Sequence, residues 1–591
     1  MEALIVLSDL FDTLVHRATP PELIKKLWAQ RMEKLLGVEQ DLYSLRTNIE
    51  ALLENKNYQL TGEHEVIYYE MCKLLYGRLL SQLEITIDAF FEIAQQTELI
   101  VELQVQYINT SNVGKIRSYY DKGLPVYLIS DFYLSKTLVK RMLIYHGIDY
   151  LFSDIFISCD INASKKTSNL YSWVSKNVNL THESKAIILG DNKISDIKNA
   201  KEHNIKGIWL KSSIYHRYYN NFLKFKTLSS CFKSFDKCYD TVNKVIFPEV
   251  AMALFLFVKK LYDALIENKA NDVIFLSREG EFLKKLFENY VAFCGGKIKA
   301  HYLYISRRSS FLPSLQTIDK ENFSTLFAKY PDLSLREFLL NLNFNEQQIS
   351  EISIDFKADI DIVRENLPQH NDFRQLLMHP VFRFCYEENR KQQYEGFIKY
   401  FNQFELDNPD CFHLVDIGWK GTVQDNLYKI FNKSVKLNGY YLGLNHQAEV
   451  DPNNRKSGLL FDENNGFDVR YANAFYNECT FIFEFLLNAS HGSAERYTND
   501  GEVILNCNQH EENLFKTLIY PLQEAIYKYF RLISSIFASS NWNNIQIAQF
   551  ILMRYARFIL SPTSRQLKLY LEYRHLESFG SNINNLSQLS C

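Results

Sequence analysis

Asp9 and Asp12 sit three apart in VLSDLFDTLVHR, where an apolar run breaks into carboxylates and hydroxyls. Three more polar clusters follow apolar runs: Ser130 closing LPVYLIS, Lys165 and Lys166 in NASKKTSNLY, and Asp191 with Asp196 in GDNKISD. Hydrolysis of a phosphate ester calls for such a set. A carboxylate attacks phosphorus, a divalent cation neutralises the phosphoryl oxygens, and fixed donors hold the group in line. Asp9 suits the attack, and Asp191 with Asp196 suits a hard oxygen site for Mg²⁺. Ser130 can donate a hydroxyl, and Lys165 or Lys166 can supply the cation that lets a carboxylate approach a dianion. Each residue also has a local alternative: Asp9, Asp12 and Ser130 as turn residues, and Asp191 as a helix cap.

The elements that must position these groups are legible as pattern. ALIVLS, residues 3–8, is a continuous apolar run of the kind buried in a parallel sheet. From Pro20 to Tyr107 the spacing turns helical, opening on two prolines and pausing at Gly37. Strand and helix then alternate: LPVYLIS, YLFSDIFIS, KAIILGD and KGIWL as strands, with helical segments between. That alternation predicts a parallel α/β sheet with helices on both faces, whose ligands bind at the carboxyl ends of the strands. Asp9, Ser130 and Asp191 all follow such ends.

A second α/β region begins near Tyr239, with strands DVIFLS, AHYLYIS, CFHLVDI and GYYLGL. Its strand ends carry Arg278, then Arg307 and Arg308, then Asp416, Gly418, Gly421 and Thr422. Loops of this composition suit anions, through backbone N–H groups and guanidinium forks. The bland alternative is a tight strand-to-helix turn. From about Ala472 the chain reads as largely helical and includes Glu484 and His491.

Composition narrows the class. The net charge of −3 gives no global field for nucleic acid or an anionic membrane. The basic, aromatic stretch WLKSSIYHRYYNNFLKFK, residues 209–226, reads as a solvated connector between domains. Ten cysteines without a CxxC pair fit reduced thiols. The apolar stretch 245–260 contains Pro248 and Glu249 and is too short to span a bilayer, so no transmembrane segment and a cytoplasmic location are expected.

In order and spacing the four clusters resemble the haloacid dehalogenase (HAD) superfamily of hydrolases. Asp9 and Thr13 match its first motif, Ser130 its second, a lysine at 165 or 166 its third, and Gly190 to Asp196 its fourth. The resemblance implies a Rossmannoid parallel sheet with a helical cap, at about 16–108, inserted after the first strand. It implies an aspartyl-phosphate on Asp9, with Asp191, Asp196 and the Phe11 carbonyl as further Mg²⁺ ligands and Thr13 beside the phosphoryl group. One departure stands out. The family's phosphatases carry a second Asp two residues after the nucleophile, where this chain has Phe11, and Asp12 comes one place late. Asp12 is the candidate replacement acid. Dehalogenase branches carry an aromatic there, which keeps carbon–halogen hydrolysis as a further alternative.

SDFYLS, SREG and DIGWKGT extend the likeness to large two-domain bacterial hydrolases of this superfamily, associated with surface-polysaccharide biosynthesis and its enzymes. The expected layout is therefore a hydrolase domain at 1–228, a second α/β domain at 229–471, and a mainly helical region at 472–591. The expected activity is Mg²⁺-dependent hydrolysis of a small phosphorylated sugar or nucleotide-sugar intermediate. The alternative is a non-hydrolytic phosphate-binding or scaffold domain fused to a transferase-like C-terminal domain; the GWKGT loop is loosely similar to the phosphate loop of phosphoribosyltransferases.

Overall fold

The computed structural model describes residues 4–178, 180, 185–243, 245–328, 330–356, 358–445, 451–464, 480–569 and 571–572. The chain divides into two units: Met1–Val245 with Asn289–Gly296 and Tyr527–Phe550, and Ile246–Glu288 with Lys297–Ile526 and Ile551–Cys591.

In the first unit, β1 (Ile5–Ser8) is buried along its whole length, as its apolar sequence requires of a strand covered on both faces. It is the middle strand of a five-stranded parallel sheet ordered β5-β4-β1-β6-β7, with β4 Val126–Ser130, β5 Asp154–Ile157, β6 Ala186–Gly190 and β7 Ile205–Trp209. Ser8 lies in register with Leu128 of β4 and Leu189 of β6, so the residues after these strands share one edge. The YLFSDIFIS segment is extended only over Asp154–Ile157, because Asp149–Leu151 winds into a 3₁₀ turn.

Two short strands that the periodicity did not reveal fasten the cap. β2 (Val15–Arg17) pairs antiparallel with β3 (Gln106–Ile108), and the chain between them is helical. The cap helices are α1 Pro21–Leu36, α2 Leu42–Thr61, α3 Tyr68–Leu79 and α4 Ile87–Val105. Pro21 opens α1, and Gly37 closes it at φ +66° with its N–H returned to the Glu33 carbonyl. The Asp41 side chain caps α2 and that of Thr86 caps α4. Trp28, Met71, Leu75 and Phe90 pack at the cap centre.

Charges are also buried there. The Arg46 guanidinium donates to Glu98 at 2.8 Å, with both side chains fully inaccessible, and to Glu50 at 2.8 Å.

The second unit is built on another parallel sheet, ordered β12-β11-β10-β8-β9, with β8 Asp272–Leu276, β9 Lys299–Leu303, β10 Cys411–Asp416, β11 Lys436–Leu444 and β12 Asn454–Asp462. The edge strand β12 escaped the sequence reading because its first half, NRKSG, is polar. Between β9 and β10 lies a helical block with its own aromatic core, including Phe323, Phe338, Phe373 and Phe382. A short hairpin, β13 (Ala494–Tyr497) and β14 (Val503–Leu505), interrupts the C-terminal region that reads as helical. The apolar stretch near Val245 is the helix Pro248–Glu267, buried throughout Val250–Val258. No described helix is long and apolar enough to cross a membrane.

Removing Arg46 strands Glu98 as an uncompensated buried charge. Arg46→Ala is therefore expected to cost about 3–5 kcal/mol, read as an earlier urea transition by circular dichroism. An unchanged midpoint would mean that the pair is solvated.

Candidate active site

The strand-end clusters meet. Asp9 follows β1, Asp191 follows β6, and Asp196 comes from the first turn of a short π-helix, Lys193–Asn199. Each of the three aspartates offers a carboxylate oxygen within 4.8 Å of the others'. Gly190 makes room for this. A Cβ there would lie 2.3 Å from the Asp196 Oδ2, so the glycine lets that carboxylate fold back against the strand end. The Asn192 N–H then holds Asp196 Oδ2 at 2.9 Å.

Lys165 supplies the counter-charge. Its Nζ lies 2.5 Å from Asp9 Oδ1 and 2.8 Å from Asp196 Oδ1, and the side chain is 4% exposed. Backbone clamps determine which of the two lysines faces the carboxylates. Asp131 accepts the N–H groups of Lys165 and Lys166 at 2.7 and 3.2 Å, and Asn199 donates to both their carbonyls at 2.9 Å. Held this way, Lys165 enters the cluster and Lys166 is exposed.

Ser130 ends β4 beside β1 and is buried. The Thr13 hydroxyl donates to Asp191 Oδ1 at 3.3 Å, so it steadies that carboxylate. Asp12 adopts a left-handed conformation, φ +61°, in a turn whose N–H reaches the Val15 carbonyl. Its carboxylate accepts the Tyr215 hydroxyl at 2.8 Å, and burial pushes its pKa upward. Thus Asp12 fixes the turn while also leaning toward its protonated form.

Phe11, in the place of the expected acid, packs against Phe132 at 4.5 Å between ring centroids. The Arg17 guanidinium lies 3.6 Å from the Phe11 centroid and is held by both oxygens of Glu102, at 3.1 and 3.2 Å. The Tyr133 hydroxyl sits between Glu98 and Glu102, at 2.8 and 2.9 Å. A continuous buried network therefore joins the cap's Arg46–Glu98 pair to the aromatic floor beside Asp9.

Burial drives Asp9 toward its neutral form. The Asp9 pKa is pushed up to about 8 by burial, with Asp196 and Asp191 adding to the rise and Lys165 opposing it. Three carboxylates face one ammonium here, so two negative charges are left over when all are ionised. Closely spaced, buried, hard oxygen donors with excess negative charge fit a divalent cation such as Mg²⁺.

Several contributors were not foreseen. The stretch 209–226 is no solvated connector: its helix Ser213–Asn221 buries Tyr215 and Tyr218, and His216 Nε2 reaches Asp191 Oδ2 at 3.3 Å. The signal was present, since Tyr215, Tyr218 and Phe222 form an apolar stripe at helical spacing. Asp131 follows Ser130 directly, and Arg17 follows the first motif. Neither has a role that its position alone announces.

In the second unit, Arg278 follows β8 and pairs with Glu511 at 2.8 Å. Asp416 ends β10, and its pKa is pushed up to about 7 by burial and by Glu279. Gly418 stands at φ +141° with the Gly443 carbonyl 2.4 Å from where a Cβ would be, and Gly421 precedes Thr422 at the start of a helix. Glu484 accepts the Trp419 indole N–H at 2.8 Å, and His491 Nε2 lies 2.8 Å from the Tyr302 hydroxyl.

A parallel α/β sheet with a helical block after its first strand and acids at its strand ends makes the first unit a Rossmann-like α/β domain. No protein-family model matches the sequence, and no curated protein does. Solved structures similar to this chain include hydrolases of the HAD superfamily. A 2-haloacid dehalogenase from Pseudomonas syringae pv. Tomato DC3000 is 17% identical over 35% of this chain and 86% of its own, with a TM-score of 0.27. A HAD phosphatase from Thermococcus onnurineus is 18% identical over 36% of this chain and 87% of its own, TM-score 0.24. A hydrolase from Streptococcus pneumoniae TIGR4 is 15% identical over 38% of this chain and 100% of its own, TM-score 0.20.

The raised Asp9 pKa has a thermodynamic consequence. In metal-free protein the folded state resists ionising Asp9, so a penalty absent below pH 4 grows as the pH rises and is complete above about 8. Asp9→Asn lacks that penalty. In EDTA it is expected to be more stable than wild type at pH 8.5, with no advantage at pH 4. A pH-independent difference between the two melting curves would contradict the shift.

Proposed function

We propose that the first unit is a Mg²⁺-dependent phosphohydrolase working through an aspartyl-phosphate on Asp9. The observation that carries this is Asp9 within the Asp191–Asp196 cluster, with Lys165 Nζ 2.5 Å from its carboxylate. Asp9 attacks phosphorus, the bond to the leaving oxygen breaks, and water then hydrolyses the acyl phosphate to release inorganic phosphate and restore the carboxylate. Lys165 and the Ser130 hydroxyl bind the phosphoryl oxygens. Asp9, Asp191, Asp196 and the Phe11 carbonyl would hold Mg²⁺, which when bound supplies positive charge against the phosphoryl oxygens. Thr13 and His216 orient Asp191.

The proton for the leaving group is the distinctive point. Phe11 cannot give one, which leaves Asp12, with its upward-shifted carboxyl, as the nearby donor. With an acid so constrained by Tyr215, substrates whose leaving groups depart with little protonation are favoured, such as phosphoanhydrides and sugar 1-phosphates. This agrees with a small phosphorylated sugar or nucleotide-sugar intermediate of surface-polysaccharide biosynthesis, the context that the sequence resemblance suggests.

A second reading draws on the same stack. Phe11, Phe132 and Arg17 fill the acid's place with immobile groups, as a phosphate-binding scaffold without turnover would have, and any transferase chemistry would then belong to the second unit. Carbon–halogen hydrolysis is less well supported, since it has no use for a cation beside Asp191 and Asp196.

Phosphate release from a panel of sugar phosphates and nucleotides separates these readings. Wild type is expected to release phosphate only with Mg²⁺, and Asp9→Asn to lose at least about a thousandfold of the rate. Lys165→Met is expected to lose about 10²–10³-fold. A folded wild type that binds Mg²⁺ yet releases phosphate from nothing would support the scaffold.

A further inference from the structure

The second unit holds a cavity that the proposed phosphohydrolase does not use. In its sheet the chain passes from β8 outward to β9 and then crosses to β10 on the other side of β8. Open parallel sheets gather their ligands outside the carboxyl ends of the strands. A cavity of about 520 Å³ opens among the segments that follow β9 and β10, lined by Arg307, Arg308, Phe311, Tyr330 and Thr422 among others. Its size is that of a small-molecule site.

The charge in this cavity is unbalanced. Its lining carries three charged residues, Arg307, Arg308 and Glu495, in a chain whose net charge is −3. Glu495 lies 3.5 Å from Arg308. Arg307 is exposed and its guanidinium makes no hydrogen bond or ion pair among the described residues, although its charge is felt by Asp416. By contrast Arg278, the other strand-end arginine, is engaged by Glu511.

A second donor set shares the wall. Thr422 opens the helix Thr422–Ile430, whose cap position is Gly421 at φ +69°, with no side chain to take the first N–H groups. Asn426, one turn further along the same helix, also lines the cavity. A Cβ on Gly421 would lie 2.8 Å from both Lys456 Cδ and Tyr441 Oη, so packing as well as backbone conformation excludes a capping residue there. The rest of the lining is partly apolar and includes Phe311 and Tyr330.

We propose that this cavity binds a phosphate monoester of hexose-to-nucleoside size, its phosphate between Arg307 and the start of helix Thr422–Ile430 and its body against Phe311 and Tyr330. A guanidinium fork and a helix start suit a dianion with several acceptor oxygens. The two aromatic residues suit a body that brings apolar area.

Calorimetric titration of the intact protein in EDTA, with adenosine 5′-monophosphate and with glucose 1-phosphate as probes, tests this independently of any turnover. At least one probe is expected to bind wild type and Lys165→Met alike, with inorganic phosphate competing. Arg307→Ala is expected to bind it about tenfold or more weakly, the loss of a charge-assisted contact. Tyr330→Ala is expected to weaken the probe while leaving the affinity for inorganic phosphate unchanged. Phosphate release dependent on Asp9 should persist in Arg307→Ala. Equal affinity in wild type and Arg307→Ala, loss of binding in Lys165→Met, or no binding of either probe to wild type would each overturn the proposal.

Discussion

A single ammonium, that of Lys165, stands between Asp9 and Asp196, and the organisation of the first unit's strand ends depends on it. Three carboxylates crowded at one strand-end edge repel one another, and Asp9, buried among them, resists ionisation. Lys165 offsets part of that cost, and Asp131 and Asn199 clamp its backbone from both sides. Because the compensation is partial, the site holds excess negative charge. That excess gives a divalent cation a reason to bind, and it links Mg²⁺, the raised Asp9 pKa and the metal-free stability of the protein in one electrostatic argument.

The cap is tied to this edge by charge as well as by packing. Arg46, Glu98, Tyr133, Glu102 and Arg17 form an unbroken chain from α2 to the face of Phe11. Networks of this kind are costly unless each member is paired, so they hold one arrangement firmly. Here the arrangement that is held puts an aromatic ring, Phe11, at the position where the sequence resemblance leads one to expect an acid. The chemistry of the site is therefore inseparable from how the cap is anchored, and Asp12, turned toward Tyr215, is the acid that remains beside it.

The two sheets were largely legible, because buried parallel strands are short apolar runs and runs such as ALIVLS and KAIILG have few other uses. β2, β3 and β12 were not, because three-residue pairings and half-polar edge strands have no periodicity to detect. Among site residues, Asp9 and Asp191 were legible from their place after strands, and Asp196 from its spacing after Asp191. The choice of Lys165 over Lys166 was not, since it rests on clamps from residues 34 positions away on either side. The segment around Tyr215 was misread because its basic residues masked a buried tyrosine stripe. Spacing shows which groups follow strands, while tertiary contacts decide which way they turn.

The most direct test of the account is to find the covalent intermediate. Wild-type protein would be mixed with Mg²⁺ and acetyl phosphate, quenched in acid, and its peptides mapped by mass spectrometry. A phosphoryl group is expected on the peptide carrying Asp9, on that residue, and is expected to be absent when Mg²⁺ is withheld. Phosphate release that proceeds while Asp9 stays unmodified, or a phosphoryl group trapped on Asp12 instead, would contradict it.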